Sequence, residues 1–259
     1  MRFIIAVDLE GISCAVGRPN DGLGKDFHYD WVRSQAVREA NATARGFFDA
    51  GATQVIIWDN HGTGINLPYD QIDSRCDIML GRGMRHRWGG VIEGFNGAAM
   101  IGYHAMDNTS DAVLAHTFSS VGYQWMSMNG VEVGEMAIDG AAAGRYGVPI
   151  VLVSSDAAGV AEAKNFFPWA ETVITKQALS WNAAISRSPV RTCEALYEAA
   201  VRSVSRLGEM KTLNLKEPIA YKIRHKRLEA AQDAVNNGWT RADDAYTVEK
   251  VLPSLLDMF

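Results

Sequence analysis

The chain has 259 residues, 47% of them hydrophobic and 21% charged, with a formal net charge of −5. That is enough apolar material for a packed core, which excludes a disordered chain. The acidic balance argues against duplex nucleic acid and anionic membranes as partners, since both need a basic excess. Domains usually hold ~100–200 residues, so this length suits one large domain, or one domain with a smaller lobe. No run approaches the ~18 apolar residues of a membrane span. The N-terminal stretch Met1 to Val7 is too short for a signal peptide and runs into Asp8 and Glu10, so a cytoplasmic protein is expected. Cys14, Cys76 and Cys193 are widely spaced. They read as reduced core thiols, not as a disulfide framework or a thiolate zinc site.

In chain order, the first buried strand is expected over Phe3 to Val7, followed by a helix from Tyr29 to Phe48 that stops at Gly51. Further buried strands are read at Val55 to Trp58 and Ala98 to Gly102. Val113 to Phe118 and Tyr123 to Met128 read as β-type runs, and Asn129-Gly130 is a hairpin turn signal. Met136 to Tyr146 reads as a helix ending before Gly147. A strand at Ile150 to Val153, a helix at Ala157 to Asn165, a strand at Thr172 to Ile174 and a helix at Val190 to Leu207 complete the alternation. The pattern predicts an α/β fold: a largely parallel sheet with helices on both faces, plus a β-hairpin insertion. After Lys211 the texture changes. An edge strand from Pro218 to Ile223 and helices at Leu228 to Asn236 and Val248 to Met258 suggest a small C-terminal α+β lobe. The expected division is 1–209 as the catalytic domain and 210–259 as the lobe. The basic stretch Lys222 to Arg227 reads as a solvated helix start.

Three strand ends carry the chemistry. The first ends Asp8-Leu9-Glu10-Gly11, the second Trp58-Asp59-Asn60-His61, another Gly102-Tyr103-His104. Residues i and i+2 of a strand point the same way, and ligands of an open parallel sheet bind beyond the carboxyl ends of its strands. Two carboxylates and two histidines therefore converge on one rim, a ligand set suited to zinc, manganese or iron. Asp59 reads as a partner that orients a histidine, or as a turn former. Glu135 opens the helix after the hairpin, where the helix dipole favours an acid in any case. His116, in an apolar run, is either a core histidine or an acid/base beside the metal. No nucleotide-binding glycine loop or serine nucleophile elbow is present.

Together the segments Val7-Asp8-Leu9-Glu10-Gly11-Ile12-Ser13, Asp59-Asn60-His61, Gly102-Tyr103-His104-Ala105, Ala115-His116-Thr117 and Val133-Gly134-Glu135 resemble the D-aminopeptidase family of zinc metallopeptidases. Smaller echoes are Glu39-Ala40-Asn41 and Lys176-Gln177, and the resemblance covers roughly residues 1 to 190. It implies two zinc ions per chain, with Asp8 bridging them, Glu10 and His61 completing one site and His104 and Glu135 the other. It also implies that His116 is the catalytic histidine, that short peptides are the substrates, including those with D-residues, and that the chain assembles as a ring-shaped homodecamer. Two zinc ions would activate a bridging water and polarise the amide carbonyl, while a metal or an acid would hold the substrate's amine. Two rivals come from outside this reading. One is a metal-dependent hydrolase of another small amide or a phosphate ester, for which Arg82 and Arg85 are the nearest candidate anion binders. The other is a non-catalytic metal-binding assembly protein.

Overall fold

The computed structural model describes residues 1–19, 21–24, 27–84 and 86–258. The elements run β1 (Arg2–Val7), α1 (Phe27–Asp49), β2 (Gln54–Asp59), β3 (Asp77–Met79), β4 (Gly97–Ile101), β5 (Tyr123–Met128), β6 (Val131–Glu132), α2 (Glu135–Arg145) and β7 (Ile150–Asp156). They continue with α3 (Ala157–Phe166), β8 (Glu171–Ser180), β9 (Ala183–Ser186), α4 (Pro189–Ser205), β10 (Ile219–His225), α5 (Leu228–Asn236), β11 (Thr240–Arg241) and β12 (Thr247–Leu252).

A seven-stranded sheet has the order β3-β2-β1-β4-β7-β8-β9, parallel except for the β8–β9 hairpin at its edge. In β1 every residue from Phe3 to Val7 is buried, because the strand is central and covered on both faces. Its alternating side chains feed two cores. Phe3, Ile5 and Val7 meet Val37 and Phe47 of α1 and Leu196 and Ala199 of α4. Ile4 and Ala6 share the opposite core with Ile138 and Ala142 of α2. A second, antiparallel sheet, β11-β12-β10-β5-β6, adds Met126, Met128, Tyr221 and Ile223 to that core. Asn129 and Gly130, with φ of 52° and 81°, form the tight turn between β5 and β6. Among the described residues no helix is long and apolar enough to cross a membrane.

Strands β1, β2, β4, β7 and β8 and helices α1 to α4 match the sequence reading. Strands β3 and β9, which complete the sheet, are additional to that reading, and the remaining differences lie outside the sheet. The expected β-run Val113 to Phe118 is a loop: Asp111, Leu114 and Phe118 have φ of 53°, 54° and 58°, which no continuing strand tolerates. Val248 to Met258, expected as a helix, begins as strand β12, paired with β10 from Leu252 to Thr247. Its β-branched residues suit a strand once a partner is available, and Pro253 stops a helix there. β10 is not an edge strand but lies between β12 and β5; Pro218 precedes it, where its missing N–H costs no ladder bond. The basic stretch from Lys222 lies largely on β10 and meets acids: Lys222 pairs with Asp243, Arg224 with Asp244 and Lys226 with Asp107. The hairpin and the C-terminal strands therefore form one sheet.

At the carboxyl end of the parallel sheet two loops touch backbone to backbone. Gly11 N–H donates to Gly102 O at 2.7 Å and Asp8 N–H to Ile101 O at 2.8 Å. A Cβ at Gly11 would lie 1.9 Å from the Tyr103 carbonyl oxygen, and Gly102 has a φ of +73°. Gly11→Ala is therefore expected to lower the unfolding free energy by about 1–3 kcal/mol, measured as a reduced urea midpoint at unchanged slope. A wild-type midpoint would show that the two loops part easily.

Candidate metal centre

Asp8 and Glu10 lie just past the end of β1, in a turn rather than on the strand. Their convergence comes from that turn, not from strand alternation. Three contacts hold it. Buried Lys176 on β8 donates through Nζ to Glu10 O at 2.5 Å and Ile12 O at 2.7 Å. Thr175 Oγ1 donates to Gly11 O at 2.6 Å. Glu39 on α1 accepts from Ser13 N–H at 3.0 Å and from the Ser13 hydroxyl at 2.5 Å. Asp59 braces the next loop. It accepts from Asn66 N–H at 2.5 Å, Leu67 N–H at 2.9 Å and the Tyr69 hydroxyl at 3.0 Å, and Asn66 Nδ2 donates to His61 O at 2.5 Å. Asp59 thus fixes the backbone that carries His61 and touches no histidine ring.

The structure brings all six predicted residues together. His61 Nδ1 lies 2.9 Å from Asp8 Oδ1 and 3.1 Å from Glu10 Oε2. His104 Nε2 lies 3.4 Å from Asp8 Oδ2 and 3.2 Å from Glu135 Oε1. The His116 ring stacks on His104, centroids 3.8 Å apart and planes 12° from parallel. Ligand atoms of Asp8, Glu10 and His104 lie within 4.8 Å of one another, as do those of His104, His116 and Glu135. Two backbone carbonyls set the tautomers, because a carbonyl only accepts. His104 Nδ1–H donates to Ala105 O at 3.0 Å and His116 Nδ1–H to Leu114 O at 2.7 Å. Each neutral ring then turns a bare Nε2 lone pair inward.

This arrangement calls for positive charge. Asp8, Glu10 and Glu135 are buried or nearly so, and among the described residues no lysine or arginine pairs with their carboxylates within 4 Å. A carboxylate facing an imidazole lone pair is repelled unless a proton or a cation lies between them. The protonation equilibria carry the same message. Burial pushes the His104 imidazolium down, but Glu135, Asp8 and Glu10 outweigh it and hold its pKa up to about 10. His61 is likewise raised, burial being overcome by Glu10 and Asp8. Burial and the neighbouring Glu10 push the Asp8 carboxyl up to about 6. Glu10 Oε2 is buried and makes no hydrogen bond, its contact with His61 having the distance but not the direction of one. An orphaned carboxylate oxygen beside imidazole nitrogens, in a set without thiolates, fits a hard or borderline divalent cation such as zinc.

Several supporting residues carry no local sequence signal. Asp139 on α2 accepts a two-pronged ion pair from Arg87, at 2.6 and 2.5 Å, and a hydrogen bond from the Tyr103 hydroxyl at 2.7 Å. Asn60 Nδ2 donates to the same hydroxyl at 2.8 Å. Residues beside His61 and His104 are thus tied to the helix that begins at Glu135. Glu162 on α3 accepts from Met106 N–H at 2.7 Å, and burial pushes its pKa up to about 7. Lys176 and Glu39 are visible in the sequence only within the short segments Lys176-Gln177 and Glu39-Ala40-Asn41. Arg82 lines a separate cavity with Asp59, Asn60, His86 and Arg87, and Arg85 lies outside the described residues.

Comparisons with known proteins place the chain in one family. The family model described as D-aminopeptidase matches residues 1–259, including the C-terminal residues outside the sequence-level resemblance. A D-aminopeptidase of Bacillus subtilis (strain 168) is 28% identical over 216 residues, 82% of this chain and 77% of the relative. A solved structure described as the zinc-dependent D-aminopeptidase DppA from Bacillus subtilis, a self-compartmentalizing protease, superposes with a TM-score of 0.90. The two are 26% identical, and the match covers 99% of this chain and 93% of that one. The chain belongs to the D-aminopeptidase family and is a peptidase.

Proposed function

We propose that this peptidase is a zinc-dependent aminopeptidase of short peptides, including those with D-residues, whose two metal ions are held by Asp8, Glu10, His61, His104 and Glu135. The observation that carries the reading is the position of Asp8. Its Oδ1 faces His61 and its Oδ2 faces His104, so one carboxylate reaches into two half-sites. Glu10 stands on the His61 side and Glu135 on the His104 side. DppA is described as zinc-dependent, which favours zinc among the ions that fit. When bound, the zinc pair would supply a nucleophilic water, bridging the two ions, at neutral pH and polarise the scissile carbonyl.

His116 handles the proton. Burial first, and then the neighbouring His104, push its pKa down, so its neutral form prevails at neutral pH. With Nδ1–H committed to Leu114 O, Nε2 is the nitrogen able to take a proton, and once protonated it becomes a donor for developing negative charge on the substrate oxygen. Glu135 Oε1 also accepts from Phe118 N–H at 2.7 Å, which ties the His116 loop to the opening turn of α2. A second role for His116, as a ligand, is favoured by its proximity to His104 and Glu135, and metal content separates the two.

The assembly is proposed to be a closed homo-oligomer, a ring-shaped decamer by resemblance. DppA is described as self-compartmentalizing, and here Leu179, Ile185 and Val190 are exposed along the β8–β9 hairpin and the start of α4, apolar surface of a kind that oligomers cover.

His104→Ala is expected to lose both zinc and peptide hydrolysis, read by elemental analysis and a dipeptide assay. Retained hydrolysis would remove His104 from the site. His116→Ala is expected to keep the zinc while kcat falls by roughly 10²-fold or more. An unchanged kcat would return His116 to a packing role, and lost zinc would make it a ligand. An N-acetylated dipeptide, run beside the free D- and L-forms, should resist the wild-type enzyme; its cleavage would contradict an aminopeptidase.

A further inference from the structure

An open cleft of about 540 Å³ adjoins the metal centre on the His61 side, lined by Tyr29, Arg33, His61, Gly62, Ile65 and Asn66 among others. It shares His61 with the metal centre, and Asp30 stands in its lining beside Arg33. Its wall is well fixed. α1 places Tyr29 and Arg33 four residues apart, on the same face. The Tyr29 hydroxyl donates to Asn66 Oδ1 at 2.8 Å, and Asn66 is itself held by Asp59. The His61 ring lies 6.4 Å from the Tyr29 ring, and the Arg33 guanidinium carbon lies 5.7 Å from it. Arg33 and His61 therefore flank one aromatic platform.

Arg33 is the unexplained group. Its Nε is buried and has no hydrogen-bond partner among the described residues. Its ion pair is with Asp30, 3.5 Å from Nη1, and the Asp30 side chain is 73% exposed, so that pair is weak and screened. The Arg33 side chain is 33% exposed overall, but a buried N–H such as its Nε is costly to leave without an acceptor. The planar N–H fork of arginine matches a carboxylate. Of the two ends of a short peptide, the amine must lie at the scissile side in an aminopeptidase. The end that projects outward is the carboxylate, displaced by about 3.3–3.6 Å for each extended residue.

We propose that Arg33 binds the C-terminal carboxylate of the substrate and so restricts the enzyme to very short peptides with a free C-terminus. The inference rests on the peptidase reading above and specifies its substrate class. Tyr29 supplies the platform that aims the guanidinium, and His61 marks the metal end of the same cleft. Arg33 is a specificity residue: it sets KM for the acid and leaves the chemistry to the metal centre.

The test uses the zinc-loaded full-length enzyme with D-Ala-Gly and with its C-terminal amide, D-Ala-Gly-NH2. Wild type is expected to prefer the acid. Arg33→Ala is expected to lower kcat/KM for the acid roughly 10- to 100-fold, mainly through KM, the scale of a charge-assisted hydrogen bond. Hydrolysis of the amide should be unchanged, which also shows that the variant is folded. Arg33→Lys, which keeps the charge and loses the fork, should fall between the two. Equal losses on acid and amide, or no loss on the acid, would overturn the assignment while leaving the peptidase reading intact. A wild-type enzyme that cleaves neither compound would sink both.

Discussion

The rest of the structure is arranged around one unfavourable act, the burial of Asp8 between two imidazoles beside two further carboxylates. A buried anion is stable only when it is paired or bound to a cation, and no lysine or arginine among the described residues supplies that pairing within 4 Å. The surrounding framework holds the carboxylates in place instead of neutralising them. Lys176 shows this most clearly. Its ammonium is buried and donates to the carbonyls of Glu10 and Ile12 rather than to a carboxylate of the centre. Burial brings its pKa down to about 8, with Asp156, Glu39 and Glu10 pulling the other way. This buried cation is committed to backbone, and the side-chain oxygens of the centre keep no lysine or arginine partner within 4 Å among the described residues.

The same economy runs through the neighbouring loops. Asp59, Asp139 and Asp156 are buried acids outside the centre, and each accepts from defined donors. Asp156 caps α3 through Gly159 N–H at 2.8 Å and holds the His116 loop through Val113 N–H at 2.6 Å. Asp139 takes Arg87 and Tyr103. Glu39 and Glu162 each keep one buried oxygen without a partner as well, so what distinguishes Asp8, Glu10 and Glu135 is that their carboxylates face imidazole nitrogens.

Much of this was legible in the sequence, for physical reasons. Buried parallel strands are continuous apolar runs, and Phe3 to Val7 or Ile150 to Val153 have no other reading. Their carboxyl ends are where an open sheet places its chemistry, so Asp8, His61 and His104 stood out. What was hidden depends on distant partners. The loop around His116 has the composition of a strand, and its left-handed residues bend it over His104, with Val113 N–H held by Asp156 and Leu114 N–H by the Trp181 carbonyl. The stretch from Thr247 is neutral between helix and strand until β10 offers an edge. Arg33, a polar residue on an amphipathic helix, looks like any solvated side chain until Tyr29 and His61 are seen beside it.

The account stands on the claim that these carboxylates and imidazoles form a two-metal site. The most direct measurement is the zinc content per chain of protein purified without added metal or chelator, repeated after chelation and zinc readdition. The account predicts two zinc ions per chain, with hydrolysis lost on chelation and restored on readdition. Protein that holds no zinc, takes none up when it is supplied and still cleaves dipeptides would contradict it.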